Sequence, residues 1–497
     1  MREIIDPQLQ LGEVDISKIE FDPRSRDDIP KILKGLQYVY CTPELREKVF
    51  KILEKIVPPG TDANNGRPGM ELWKIFVLGT IRLNCDWDYD RLKEMADHHI
   101  GLREMLGHNL FNKKDKYALQ TLKDNVSLLT VEVLDKINVV VVEAGHSLVK
   151  KKPGEGLKGR CDSSVVKTDV HFPTDISLLF DAIRRVIILT SRLSLKFGGL
   201  GWRQNKHNVK KIKNLMRRIQ RMKRSTSKNP EKKREREDLI LQCYQEYLEV
   251  VRKYFLRAKG TIREVQEQSS AYDSDIMEIE RYLVLAEKLI NQVDRRVILN
   301  EVIKHKEKIF SVFEEHTEWI SKGKAGVPVE LGLRVCVMED QYQFILHHRV
   351  MQKETDDKIA ITMVEEAKRR FSDFKSCSFD KGFWTPLNQE ILQKILERVV
   401  LPKKGRLSVE DRQRQEDEYF IQARKQHSAV ESAINALDHH GLDRCPDHGI
   451  YGFERYVALG IVGRNLHRLG GIILEKELKT LKQRNKLKQR KKMRLAA

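Results

Sequence analysis

Strand-forming sequence occurs in two separated blocks, Gly159 to Val170 and Leu333 to Val350, while the stretch from Ile176 to about Lys322 has no strand pattern and is spaced for helix. That separation limits the fold. The first block carries Cys161, Val165, Val166 and Val170, and the second reads as a hairpin, Leu333 to Met338 and Gln343 to Val350, turned at Glu339-Asp340. Beyond it the pattern predicts a helix over Thr355 to Phe371, with Ile359, Met363, Ala367 and Arg370 in register. A short strand Cys377 to Phe379, a helix Leu387 to Arg398, a strand Val399 to Leu401 and a long helix from about Val409 to Leu437 follow. The helical stretch therefore falls between the first and second strands of one sheet, and should leave and re-enter it as a helical subdomain.

Ahead of the strands, residues 29 to 56 read as helix, and the breakers Val57-Pro58-Pro59-Gly60 and Gly66-Arg67-Pro68-Gly69 flank a polar loop. Trp73, Phe76, Val77 and Ile81 then recur at helical spacing, Asp88 to Met95 offers a second helix and Tyr117 to Leu128 a third. Three short helices suit a helix-turn-helix, in which Gln120, Lys123 and Asn125 would face a DNA groove; plain packing explains the same pattern. Further breaker-rich turns, Lys150-Lys151-Lys152-Pro153-Gly154 and Gly323 to Pro328, mark boundaries. The expected organisation is a helical domain over 1–150, an α/β domain from 155–175 plus 326–470, a helical basic insertion at 176–325 and a basic tail at 471–497. With 14 prolines and 28 glycines in 497 residues, helix should dominate.

Charge points to a partner. Lys and Arg number 92 against 72 Asp and Glu, a formal +20, which attracts polyanions. Its placement is uneven: fifteen Lys or Arg and two acids lie between Arg203 and Arg236, and nine of the sixteen residues from Lys479 to Arg494 are basic. Lys210, Lys211, Lys213, Arg217, Arg218 and Arg221 are the candidate phosphate contacts, against the alternative of a solvated helix face. The seven cysteines include no CxxC pair, so neither a disulfide frame nor a zinc knuckle is signalled. The opening stretch lacks a signal-peptide core, and apolar runs such as Val139 to Val142 are too short to span a bilayer. A cytoplasmic protein with no membrane segment is expected.

Three acids sit at useful ends of the predicted elements. Asp162 lies within the first strand, Asp380 directly after Phe379, and Glu431 on the long helix. Carboxylates gathered this way suit two Mg²⁺ or Mn²⁺ ions, which can activate an attacking oxygen and neutralise a leaving one in phosphoryl displacement. Taken singly, each acid has a plain alternative as a solvated surface charge. Other candidates are weaker. Asp443-Arg444-Cys445-Pro446-Asp447-His448 lacks paired thiols, His347-His348 reads as ordinary strand, and no GxxxxGK[ST] loop is present.

The motifs resemble those of the DDE-class transposases of bacterial insertion sequences. The first is Cys161-Asp162-Ser163-Ser164-Val165-Val166 with His171-Phe172-Pro173-Thr174-Asp175 after it, and the second is Phe379-Asp380-Lys381-Gly382-Phe383 with Asn388 beyond. The third is His427-Ser428-Ala429-Val430-Glu431-Ser432, followed by His440-Gly441-Leu442-Asp443-Arg444-Cys445 and Tyr451-Gly452-Phe453-Glu454-Arg455-Tyr456. Gly66 to Gly107 resembles the family's amino-terminal helical domain.

The resemblance implies a ribonuclease H-like mixed sheet interrupted by the helical insertion and preceded by an all-α domain. It also implies Asp162 bridging two ions with Asp380 and Glu431 each completing one, double-stranded transposon-end and target DNA as partner, and a homodimer at paired ends. Where relatives carry a Tyr, an Arg and a Lys around the Glu, this chain has Arg424, His427 and Asp438, so Arg424 and His427 are the expected DNA contacts there. Asp169 and Asp175 compete with Asp162 by proximity, and the motif position favours Asp162. A non-catalytic DNA-binding protein and a metal-dependent nuclease are the rival readings.

Overall fold

Seven helices lead into the sheet: α1 (Asp28–Cys41), α2 (Pro43–Leu53), α3 (Leu72–Asn84), α4 (Tyr89–His98), α5 (Ile100–Met105), α6 (Leu119–Val126) and α7 (Val131–Leu148). They appear in a computed structural model that describes residues 3–5, 9, 12–57, 69–109, 116–150, 154–198, 201–224, 229–268, 273–321 and 328–496. The turns read from sequence at 58–68, 151–153 and 323–327 lie outside the described residues. Strand β1 (Leu157–Thr168) follows, then α8 (Asp175–Lys196), α9 (Asn205–Lys223), α10 (Pro230–Gln266) and α11 (Asp273–Val293). The chain continues through β2 (Glu318–Ser321), β3 (Val329–Asp340), β4 (Ile345–Met351), α12 (Asp356–Arg370), β5 (Phe374–Phe379), α13 (Pro386–Ile395) and β6 (Arg398–Val400). Last come α14 (Val409–Glu416), α15 (Glu418–His427), α16 (Ala429–Leu437), β7 (Arg444–Cys445) and α17 (Gly449–Ala496).

The molecule is α/β, mostly helical around one mixed seven-stranded sheet. It divides into two units, Met1–Asp169 with Ile320–Ala497, and Val170–Trp319. In the first, β1 pairs antiparallel with β3, which pairs antiparallel with β4, while β5 lies parallel to β1 and β6 parallel to β5. The core order is β4-β3-β1-β5-β6. The helices α1 to α7 belong to this unit with the sheet.

Helix α17 is the pillar of that unit, packing on α1, α3 and α7. Its stretch Gly449–Gln489 is long and apolar enough to cross a membrane by length and composition, a length the short apolar runs of the sequence do not suggest. Its most apolar window is 72% buried inside the protein, so the apolar face is spent on the core. The basic tail expected from residue 471 is the continuation of this helix.

Asn465 and Asn138 hold α17 and α7 to the sheet edge. Asn465 accepts from the Ile345 N–H at 2.9 Å and donates to the Ile345 carbonyl at 2.9 Å and to Asn138 at 2.7 Å. Asn138 donates to the same carbonyl at 3.0 Å. A fully buried polar network of this kind occupies strand groups that would otherwise invite a foreign strand.

Helices α1 and α17 approach closely because glycines face each other's backbones. A Cβ on Gly470 would lie 1.8 Å from the Lys31 carbonyl oxygen, and one on Gly35 2.2 Å from that of Leu466. Gly470→Ala should therefore destabilise the unit by about 1–3 kcal/mol or more through overpacking, read as a lower melting temperature. An unchanged melting temperature would mean that the helices separate at little cost.

Two expectations need correction. The single helix expected from Val409 to Leu437 is three: Asp417 leaves the helical conformation (ψ 134) and caps α15, accepting from the Phe420 N–H at 3.2 Å, and a second break falls at Ser428 before α16. In the second unit, the helical spacing of the apolar stripes Tyr244 to Phe255 and Leu283 to Val297 predicts most simply an antiparallel pair packed on each other, with packing of part of them on a second subunit as the alternative. The main partner of α11 is instead α8, whose Leu179, Ile183, Val186 and Ile187 are buried, with Tyr247 of α10 donating to the Ile176 carbonyl at 3.0 Å.

Candidate metal centre

Parallel pairing sets the first two acids side by side. The β1–β5 register pairs Cys161 with Phe379, so Asp162 and Asp380 are the next residues along the two strands, Asp162 midway along β1 where its pairing with β5 stops and Asp380 directly after the carboxyl-terminal end of β5. Ligands commonly bind at such ends of parallel strands. Phe379 is buried beneath with Phe383, their rings 5.4 Å apart, which anchors the turn after Asp380. Asn388 fastens that turn to the start of α12, donating to the Phe383 carbonyl at 2.8 Å and to the Asp357 carbonyl at 2.6 Å.

Glu431 comes from the first turn of α16, a helix packed on β1. A fourth acid, which the motifs do not point to, is Asp356 at the amino terminus of α12. Ser163 ties it to the first strand: its hydroxyl donates to Asp356 Oδ1 at 2.6 Å, while its N–H donates to Asp162 Oδ1 at 2.8 Å. At Gly382 a Cβ would stand 3.2 Å from Asp356 Oδ2, so the turn after Asp380 passes close to this carboxylate.

Three of these carboxylates act on Asp162. Burial pushes the Asp162 carboxyl up to about 6, the Asp380, Asp356 and Glu431 carboxylates push the same way, and the Ser163 N–H opposes them. Among the described residues no Lys or Arg forms an ion pair with any of the four. Two basic groups close to the acids are engaged otherwise. Arg160 pairs with Glu339 at 3.0 Å, and His427, on the helix before Glu431, meets the Ser378 hydroxyl through Nδ1 at 2.9 Å. Burial holds the His427 pKa below its ordinary value, with Arg160 adding to the effect and Asp380 and Glu431 opposing it.

Such crowding has a measurable consequence. A carboxyl whose pKa is raised on folding favours the protonated fold, so its effect on stability is best at low pH and is lost as pH rises through about 6. In metal-free protein at neutral pH, Asp162→Asn should therefore raise stability by on the order of 2 kcal/mol, and the gain should shrink towards about pH 4. Melting curves in chelator check this. A variant less stable than the parent at neutral pH would refute the repulsion.

The remaining sequence candidates are dispersed. Asp169 is exposed beside Arg444 at 3.5 Å, and Asp175 pairs with Arg296, so neither is among the groups acting on Asp162. The His171 to Asp175 segment opens α8, where Thr174 and Ser177 form a reciprocal cap. Arg424 is exposed on α15. Gln120 and Lys123 are exposed on α6, Gln120 bonded to Asp124 at 2.7 Å, whereas Asn125 is buried and donates to the Thr121 carbonyl at 2.7 Å. That burial removes Asn125 from any groove-facing set.

The basic residues of α9 follow a clear division. Asn208, Ile212, Met216 and Ile219 are buried, while Lys210, Lys211, Arg217, Arg218 and Arg221 are exposed and Lys213 is half-buried. Arg218 pairs with Glu246 at 3.1 Å. A comparison of the chain with protein-family models, with curated proteins and with solved structures yields no match.

Proposed function

We propose that this chain is a DDE-class transposase that cuts DNA at the ends of an insertion sequence and joins the freed 3′ hydroxyl to target DNA. The observation that carries the reading is a cluster of four carboxylates, Asp162, Asp356, Asp380 and Glu431, with no cation paired to it among the described residues. An all-oxygen, multiply anionic donor set fits Mg²⁺ or Mn²⁺. When bound, two such ions would supply an activated attacking oxygen and neutralise the leaving one. Asp162, on which Asp380, Asp356 and Glu431 all act, is the proposed bridging ligand, with Asp380 and Glu431 each completing one ion.

The strand order β4-β3-β1-β5-β6, antiparallel on one side of β1 and parallel on the other, supports a ribonuclease H-like sheet with the second unit inserted after its first strand. We assign phosphate contact to the exposed face of α9, a further contact near the cut to Arg424, and a hydrogen-bonding role beside the acids to His427. Gln120 and Lys123 are the proposed reading residues of the amino-terminal helices, and a homodimer is the proposed form at paired ends. Mg²⁺-dependent joining of a labelled terminal-repeat oligonucleotide tests the activity. Cleavage without joining would favour a nuclease, and binding without either a non-catalytic DNA-binding protein. Inverted repeats and short target duplications flanking the gene would supply the end sequence for that substrate.

A further inference from the structure

We propose that Asp28, His440 and His467 form a second metal site, for a divalent transition metal of the zinc class, at the junction of α1, the turn after α16 and α17. The proposal is independent of the DNA chemistry assigned to the carboxylate cluster. One ligand atom from each of the three lies within 4.8 Å of the others. Two imidazole nitrogens and one carboxylate oxygen make a set that zinc accepts readily, with its tetrahedral ligands roughly 3.4 Å apart at bonds of about 2.1 Å. Binding thus requires only a modest contraction.

Each residue is presented by local structure rather than by chance exposure. Asp27, not Asp28, caps α1, accepting from the Ile29 N–H at 2.9 Å, so Asp28 is not consumed by the helix start. His440 belongs to a π-turn over Asp438–Leu442 in which Gly441 takes a positive φ of 87. Tyr456 locks that turn, its hydroxyl donating to the Gly441 carbonyl at 2.8 Å. The turn carries the His440 ring inward: the residue is 6% exposed, and its buried Nδ1 has no hydrogen-bond partner. An unpartnered buried nitrogen costs about 1–3 kcal/mol, which tends to be tolerated where a ligand satisfies it. The rings of His440 and His467 stand 5.0 Å apart, and His467 Nε2 lies 3.0 Å from Asp28 Oδ1.

The protonation states suit a ligand set. Burial pushes His440 down to about 4 and also lowers His467, so both imidazoles offer lone pairs at neutral pH. Two cations compete with a metal. Lys31 Nζ lies 3.3 Å from Asp28 Oδ1, and Arg464 Nη1 3.5 Å from His467 Nδ1. A bound dication would displace Lys31, whose side chain is partly exposed and free to swing outward. It would also pin the end of the helix that carries Glu431 to the two helices behind it.

The test is Zn²⁺ titration of the full chain, stripped of metal and carrying Asp162→Asn so that the carboxylate cluster competes less. Calorimetry and melting are the readouts. One equivalent should bind and raise the melting temperature; His467→Gln should weaken that binding by at least about tenfold and abolish the thermal shift. Lys31→Met, which removes the competing cation and leaves the three ligands, should tighten it severalfold. Absence of saturable Zn²⁺ binding, or equal affinity in the His467→Gln protein, would overturn the site. Should His467→Gln fail to fold, an affinity unchanged by Lys31→Met overturns it as well. Because no readout depends on DNA, failure here leaves the transposase reading untouched, and loss of that reading leaves this one.

Discussion

Asp162→Asn, Asp380→Asn and Glu431→Gln are each expected to abolish Mg²⁺-dependent cleavage and joining while leaving DNA binding nearly intact. The amide keeps the shape of the carboxylate but removes the charge that a hard dication requires. Loss of one fixed charge-stabilising group commonly costs a hundredfold or more in rate, and the expected loss here is at least about that. For Asp162 the substitution also removes a charge whose burial, with repulsion from its neighbours, lifts its carboxyl to about 6, so lost activity should accompany an equally or more stable fold. That pairing separates a lost ligand from a damaged protein. Asp356→Asn should behave differently: one oxygen of Asp356 is already engaged by the Ser163 hydroxyl at 2.6 Å, so its loss should raise the Mg²⁺ requirement before it abolishes turnover. Single-turnover cleavage of end DNA across a Mg²⁺ series, with gel shifts in chelator for binding, measures both. Near-normal strand transfer by any of the three motif variants would remove that residue from the centre.

The reasons why some of this can be read from sequence and some cannot are local. Asp162 is legible because β-branched and motif neighbours mark its strand, and Asp380 because a short apolar strand ends directly before it. Asp356 is not, since an acid in the first turn of a helix is what the helix dipole favours in any case. Only the pairing of β1 with its neighbours reveals that Ser163 reaches it. The break before α15 hides for a similar reason: Asp417 sits in a run of charged residues whose helical spacing is unbroken, and its capping role appears only with its ψ of 134. Burial is the other invisible quantity. His440 looks like any polar turn residue, and Asn125 like any groove-facing one, until the packing around them is known. Helix α17 is not read from the sequence, whose expected elements end at Leu437 apart from a basic tail, and only its seat against α1, α3 and α7 shows what its apolar half touches.

Neutralising Lys210, Lys211, Lys213, Arg217, Arg218 and Arg221 together should weaken DNA binding about equally for every sequence and flatten its dependence on salt. The helix that carries them has no acid in its 19 residues, and its inward face is complete without them: Asn208, Ile212, Met216 and Ile219 meet the core of the second unit. Substitution by Gln therefore leaves the packing alone. Each phosphate contact releases counterions worth about 0.9 in the slope of log affinity against log salt. Arg218 is already paired with Glu246, and Lys213 is half-buried, so four to five effective contacts are the expectation. The slope should then fall by about 4, and affinity near physiological salt by roughly a hundred- to a thousandfold. Random and end-specific DNA should lose the same factor, because phosphates position a protein without reporting sequence. Binding isotherms over a salt series, with the parent chain alongside, give both quantities from one experiment. If slope and affinity both stayed at parental values, the exposed face of α9 would be a solvated surface, and the positive charge of the chain would have to meet DNA elsewhere.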